Sequence, residues 1–402
     1  MIRMKMKYIQ PGILATLAIG VVVGAVAWAA TNTYSTQEAE AGTRTSAASV
    51  VADASASGSS AIRFGEVTTS TCPIPDRVTV TNANKAEYPA YPSGTKLYVP
   101  DGPDPWGGCF PGPLSTGVPS GTQLTNYTGS CTITMANTVI DKKTINCTRL
   151  DIRAQGIVIT NSHINGRVLV DDTRCDTASF TITDSTIYNG GGEERPLMYC
   201  SYTATRVDAS GSGSMAVCMN GCTIRDSYLH DPDEDPTGTA HNSTVRLGAR
   251  AILEHNTLHC NVREYPANDG SGETSGCSAN QTAYSHDGWP PYETVSRRNF
   301  YAATTGGYCG YGGSTGGSGA NQVRDVKFIQ NIFQRGNKDG SWGAGSYMCG
   351  FYGPMTSMDL SRPGNEFIDN IWDNGKPVIL QFENGWADSW GEPCGSQPQG
   401  TW

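Results

Sequence analysis

Six segments of the chain obey one spacing rule, and the rule leaves few folds open. They read IVITNSHI (157–164), FTITDSTI (180–187), CTIRDSYL (222–229), AILEHNTL (251–258), VKFIQNIF (326–333) and NEFIDNIW (365–372). Each holds an apolar anchor, two mostly polar positions, Ser or Asn, one variable position and a second anchor. The anchor pairs are Ile159/Ile164, Ile182/Ile187, Ile224/Leu229, Leu253/Leu258, Phe328/Phe333 and Phe367/Trp372. The polar position is Ser162, Ser185, Ser227, Asn256, Asn331 and Asn370; a weaker copy from Val295 to Phe300 puts Arg298 there. Residues an odd number apart face opposite sides of a straight strand. Both anchors therefore point inward only if the chain turns a corner between them. Asn, Asp and Ser suit that corner because they tolerate left-handed backbone and bond locally.

The anchors also recur along the chain. Ile182 follows Ile159 by 23 residues, and the 42 from Ile182 to Ile224 make two coils of 21. Periods of this size mark a solenoid, whereas propeller blades need roughly 40–50 residues. The units are short, β-branched and Gly-flanked, which argues against an α-solenoid, and 48 Gly and 22 Pro argue against a helical bundle. The fold expected is all-β: a right-handed parallel β-helix over 131–380, with apolar anchors inside and a Ser/Asn file up one corner. Residues 63–130 are rich in Pro and Gly and show no repeat. They are expected to cap the N-terminal end, whose open edge would otherwise invite aggregation. Residues 381–402 read as a C-terminal tail.

The first 30 residues set the compartment. Arg3, Lys5 and Lys7 precede a stretch from Ile13 to Ala30 with no charge. Residues 1–30 read as a signal peptide or, if uncleaved, an N-terminal membrane anchor. Residues 31–62 have almost no large apolar side chain and read as a flexible linker. Thirteen cysteines with no Cys-x-x-Cys pair fit structural disulfides in an exported chain. The spacing alone does not fix connectivity; pairing of neighbours would join Cys131–Cys147, Cys175–Cys200, Cys218–Cys222, Cys260–Cys277 and Cys309–Cys349, and the odd count leaves a thiol unpaired or intermolecular. A net charge of −9 disfavours nucleic acid as a partner. The expected location is secreted or on the extracellular face, the expected state a monomer, and membrane contact is confined to an uncleaved N-terminal segment.

The runs GGYCGYGG (306–313), FIQNIFQRG (328–336), CGFYGP (349–354) and GNEFIDNIWDNG (364–375) resemble a group of secreted right-handed β-helix repeat proteins of Gram-positive, mostly actinobacterial, bacteria. The group falls in the pectate-lyase-like superfamily. The resemblance spans roughly 130–380 and implies the fold; the superfamily's members are mostly lyases and hydrolases of polysaccharides, with some binding proteins. Two departures stand out. Asp171-Asp172 lacks the companion motifs of polygalacturonase-like enzymes. Where related sequences carry His-x-Asp-Gly after an acidic loop, this chain has His241-Asn242-Ser243-Thr244.

The densest polar stretch, 228–260, holds four of the six histidines. Stacking the coils puts His230 and His259 one strand spacing apart, about 4.8 Å, both facing outward. It also sets Arg225 beside Glu254 as an exposed ion pair. The catalytic candidates are His230, His241 and His259 with Asp231 and Arg246, because a His beside a carboxylate can move a proton near neutral pH. Asp231, Asp233 and Asp235 could hold Ca²⁺, which takes carboxylate oxygens; no other cofactor is indicated. Arg250 can grip a carboxylate. His286, Asp287, Trp289 and Tyr292 add an acid/base pair and flat rings on which sugars stack. Two functions follow: a polysaccharide lyase or hydrolase, or a non-catalytic cell-surface protein that binds glycan along its ladder face.

Overall fold

The computed structural model describes residues 48–52, 60–64, 72–88, 91–191, 195–233, 242–260, 277–283, 290–304, 308–314, 319–335, 349, 353–381 and 386–388. The chain divides into two units, Met1–Ser70 and Thr71–Trp402. In the first, strands Ala48–Ala52 and Ser60–Phe64 pair antiparallel with Val50 opposite Ile62. The stretch read as linker thus holds a pair of strands in which Val51 also faces Ala61.

The second unit is a parallel β-helix. Its first sheet has nine strands in coil order: Val139–Asp141, Ile157–Thr160, Phe180–Thr183, Tyr202–Thr205, Thr223–Arg225, Ile252–Glu254, Tyr292–Arg297, Arg324–Ile329 and Glu366–Ile368. After a corner, a second parallel stack includes Thr186–Tyr188, Asp208–Ser210, Tyr228–Leu229, Thr257–Leu258, Phe300–Tyr301, Ile332–Phe333 and Ile371–Trp372. A third includes Leu197–Cys200, Ala216–Asn220, Asn242–Ala249, Cys277–Ala283, Tyr308–Tyr311 and Gly353–Thr356. In the earliest coils the second and third stacks share one long strand. Lys143–Ile152 pairs with His163–Val170, and the register shifts between Gly166 and Arg167.

Register confirms the inner files. Ile140, Ile159, Ile182, Ala204, Ile224 and Leu253 follow one another up the first sheet. Ile164, Ile187, Ala209, Leu229, Leu258, Tyr301, Phe333 and Trp372 do so up the second. Nearly all of these side chains are fully buried, and burying an Ile or Leu contributes about 1.5–3 kcal/mol. The interval of 42 is indeed two coils, the skipped one anchored by Ala204 and Ala209.

Three expectations need correction. First, the left-handed residue of the corner is the one before the Ser/Asn: Asn161, Asp184, Arg206, Asp226, His255, Arg298, Gln330 and Asp369 all have φ between 47° and 56°. The Ser/Asn itself is buried and works as a ladder. Asn256 Nδ2 donates to Asn299 Oδ1 at 3.0 Å, Asn299 to Asn331 at 3.1 Å and Asn331 to Asn370 at 2.8 Å. Second, the copy read as Val295–Phe300 sits one residue later. Leu253 pairs with Ser296, and Ser296 with Phe328, so Asn299 takes the ladder position in place of Arg298. Ser296 faces inward because Gln281 Oε1 accepts its hydroxyl at 2.9 Å; a search for apolar anchors chooses Val295 instead. Third, Arg225 and Glu254 are in register, but Glu254 bonds Arg297 of the following coil at 2.6 Å.

The segment expected to cap the N-terminal end runs along the side of the stack. Tyr98 N–H bonds Asp373 O at 2.9 Å in the ninth coil, and Gly117 N–H bonds Arg206 O at 3.0 Å in the fourth. Thr257 Oγ donates to Pro111 O between them. We call residues 72–118 the strap. Phe110, with Tyr98 and Trp106, packs on the outward residues Phe300, Ala302 and Ile332 of the second sheet. An outward apolar strip there makes a side-on berth more favourable than an end-on one.

Disulfides join Cys131–Cys147, Cys175–Cys200, Cys218–Cys222 and Cys309–Cys349 as expected, and Cys72–Cys109 ties the strap. Cys260 is also disulfide-bonded; the side chain of Cys277 lies outside the described residues, as does Cys394. Several disulfides mark an oxidising environment. Among the described residues no helix is long and apolar enough to cross a membrane.

Candidate functional site

The strand Tyr228–Leu229 of the second sheet leads into the site. His230 follows the inward Leu229, so its ring stands on the outer face. There it lies between two carboxylates: Nε2 is 2.8 Å from Asp208 Oδ1 and Nδ1 is 2.7 Å from Asp231 Oδ2. Its ring stacks on Tyr228, with centroids 3.9 Å apart and planes 12° from parallel. Asp208 arrives from the preceding coil and Asp231 from the tight turn that begins at φ 47°.

Burial by itself would lower the His230 pKa. The hydrogen bonds and charges of Asp208 and Asp231 outweigh it and lift the ring to about 9. At neutral pH His230 is therefore an imidazolium that donates both N–H groups, with no lone pair left to accept a proton. The Tyr228 hydroxyl is pushed up as well, first by burial and then by the charges of Asp231, Asp208 and Asp101. Asp101 belongs to the strap. Its carboxylate takes Leu114 N–H at 3.1 Å and Ser115 Oγ at 2.6 Å, which folds the strap into a turn beside Tyr228.

The corner before this sheet carries a ladder of alternating charge. Arg206 grips Asp184 with two bonds of 2.6 and 2.7 Å. One coil on, Asp226 Oδ1 is 2.6 Å from His255 Nδ1. His255 Nε2 is 3.4 Å from Asp104 of the strap, whose side chain has no solvent exposure. Arg298, in the next coil, also binds Asp104.

The expected residues are thus only partly assembled. His230 and Asp231 are in contact. His259 is half-buried one coil on, its N–H on Leu229 O as that of His230 is on Ala209 O. Arg246 sits mid-strand in the third stack, in register with Val217 and Thr282, so it belongs to another face. His241 and Asp235 lie outside the described residues, as do His286, Asp287 and Trp289. Asp233 is described, and among the described residues no group of three His, Cys, Asp or Glu is placed to hold a metal ion. Arg250 and Tyr292 do meet, on the corner between the third and first sheets. The Arg250 guanidinium is 5.7 Å from the Tyr292 ring centre and Arg324 is 4.7 Å from it. Arg250 Nε also bonds Asn220 Oδ1 at 3.0 Å.

Sequence reasoning missed Asp208, His255, Asp226 and Asp104. Asp208 lies in the skipped coil, whose alanine anchors hide the repeat. His255 and Asp226 share one column of the repeat, the position before Ser/Asn, and reading down that column exposes the alternating signs. Nothing in the sequence marks Asp104.

Comparison with protein-family models, curated proteins and solved structures finds no match to this chain.

Proposed function

We propose that the protein is an exported β-helix that binds an extracellular polysaccharide without cleaving it, holding the sugar at the corner of Arg250, Tyr292 and Arg324. One observation carries the non-catalytic reading: His230, the candidate base in contact with a carboxylate, spends both ring nitrogens on Asp208 and Asp231. A general base needs a free lone pair aimed at substrate. The binding reading rests on two exposed guanidiniums oriented by one ring. Arg binds hydroxyls and carboxylates through a fixed fork of donors. His286, Asp287 and Trp289 lie between Ala283 and Tyr292 in the chain, so the other candidates for sugar contact adjoin this corner in sequence. The likeness to secreted β-helix repeat proteins of the pectate-lyase-like superfamily agrees with an extracellular glycan partner.

The test is retention on a panel of neutral and uronate glycans, with and without Ca²⁺, together with assays for new reducing or unsaturated ends. Retention without products, weakened by Arg250→Ala with Arg324→Ala and unchanged by His230→Ala, is the expected result. Products from any of these glycans would overturn the non-catalytic reading.

A second reading is a glycoside hydrolase. Two carboxylates flank one imidazolium on an outer face, and paired carboxylates are what glycosidic cleavage uses. Asp208→Asn would then abolish product formation while sparing retention.

A further inference from the structure

We infer that the strap is a pH-operated clasp, docked along the outer face of the second sheet in acid and released from its Asp373 end as pH rises. The inference is independent of the glycan reading. It starts from an asymmetry between the two ends of the strap.

The end at the ninth coil hangs on an ionisable group sealed from water. The Tyr91 hydroxyl donates to Asp373 Oδ1, and Tyr98 N–H donates to Asp373 O at 2.9 Å. Asp373 has no solvent exposure, and its Oδ2 has no hydrogen-bond partner. The charged and titratable groups around it come from both sides. On the strap are Tyr91, Tyr88 with Glu87 behind it, and Lys85, whose ammonium bonds Tyr91 O. On the shaft is Arg335, itself buried, its guanidinium 4.2 Å over the Trp372 ring and two of its nitrogens unbonded. Burial lifts the Asp373 carboxyl to about 7, against the Tyr91 hydroxyl bond and the backbone N–H and charge of Arg335. Protonated, the group sits in its berth without a net charge. Ionised, it carries a charge in a dry site that Tyr91 and Arg335 offset only in part, with Oδ2 unbonded, which favours any opening that admits water.

The middle of the strap is held by charge. Asp104 is held by His255 and Arg298, and His255 also faces Asp226, which lies beside Arg206. At the far end Gly117 lies beside Asp208, the partner of His230, but the bonds to the shaft are made by other groups. Gly117 N–H to Arg206 O and Val118 N–H to Thr186 Oγ1 at 3.2 Å are neutral bonds. Opening therefore begins at the ninth coil and runs toward Pro111, uncovering Ile332 first and then Phe300 and Ala302.

Hydrogen exchange of the full chain, expressed as protection factors to cancel the intrinsic pH dependence, tests this. Protection over 91–104 is expected to fall about a hundredfold from about pH 5 to about pH 9, the change produced by the roughly two pH units between 5 and the raised value of about 7. Protection over the shaft strand Phe180–Thr183 stays level. Asp373→Asn removes the charge and keeps the strap protected at alkaline pH. Strap protection that ignores pH, or an Asn variant that follows the wild type, would overturn the inference. Should the variant not fold, infrared difference spectra of the wild-type chain across neutrality decide. Loss of a buried carboxylic-acid carbonyl band supports the clasp, and no change overturns it.

Discussion

The carboxylate of Asp104 has no solvent exposure and accepts hydrogen bonds from Nε and Nη2 of Arg298, a residue 194 positions later in the chain. This pair, with His255 alongside, pins the middle of the strap to the sixth and seventh coils. Asp104→Ala leaves Arg298 and His255 facing a void. Removing one partner of a buried pair costs about 3–5 kcal/mol, so the denaturant midpoint should drop accordingly. A double-mutant cycle with Arg298→Gln should return a coupling energy above about 1 kcal/mol.

His230 makes stability depend on pH. Its folded-state pKa is raised to about 9. The stabilisation is fully present below the ordinary value of about 6.5 and is lost as pH rises through 9, on the order of 3 kcal/mol in all. Urea titrations between about pH 6 and about pH 10 should show this decline. His230→Gln should flatten it, and a wild-type curve that is level across that range would refute the clamp of Asp208 and Asp231.

The polar ladder gives a graded series. Asn299 Oδ1 accepts from both the backbone N–H and the side-chain amide of Asn256. Asn299→Ala therefore strands two buried donors, for about 2–4 kcal/mol. Ser185 accepts a single N–H, that of Ser162 at 3.1 Å, and Ser185→Ala should cost about 1–2 kcal/mol. Equal losses in thermal or chemical unfolding would mean that the ladder bonds are not what holds the corner.

Two glycines with positive φ separate space from strain. A Cβ on Gly166, at φ 135°, would meet the Cys147 carbonyl oxygen at 1.9 Å, whereas one on Gly221, at φ 65°, meets nothing within 4 Å. Gly221→Ala should cost about 1 kcal/mol, the left-handed penalty alone. Gly166→Ala must displace backbone where a long strand bends between sheets, so it should lose several times as much or fail to fold. Thermal melts of the two variants compare them.

The shaft was legible because burial repeats. Ile182, Ile224 and Leu253 are large, apolar and at fixed distance from Ser or Asn, so a search for that pattern finds them. It fails where the interior tolerates other chemistry: Ala204 is too small to stand out, and Ser296 is inward but polar because Gln281 answers it. The corner's left-handed residue was misassigned by one place. Ser and Asn repeat there for their hydrogen bonds along the stack, while Arg206, His255 and Arg298 accept positive φ without advertising it. The site was legible in half. His230 and Asp231 are neighbours in sequence, but Asp208 lies one coil away and Asp104 on a segment with no repeat at all. Contacts set by the path of an irregular strap leave no periodic trace.

A solenoid built of interchangeable turns can in principle gain or lose one and keep its packing. Here an inextensible tie, fastened near Gly117 to the fourth turn and near Tyr98 to the ninth, measures out the distance between them. Inserting or deleting a turn between those points would carry Arg298 past Asp104 by one full rise and break the fastening. The number of turns in this protein is thereby written into the length of a segment that belongs to none of them.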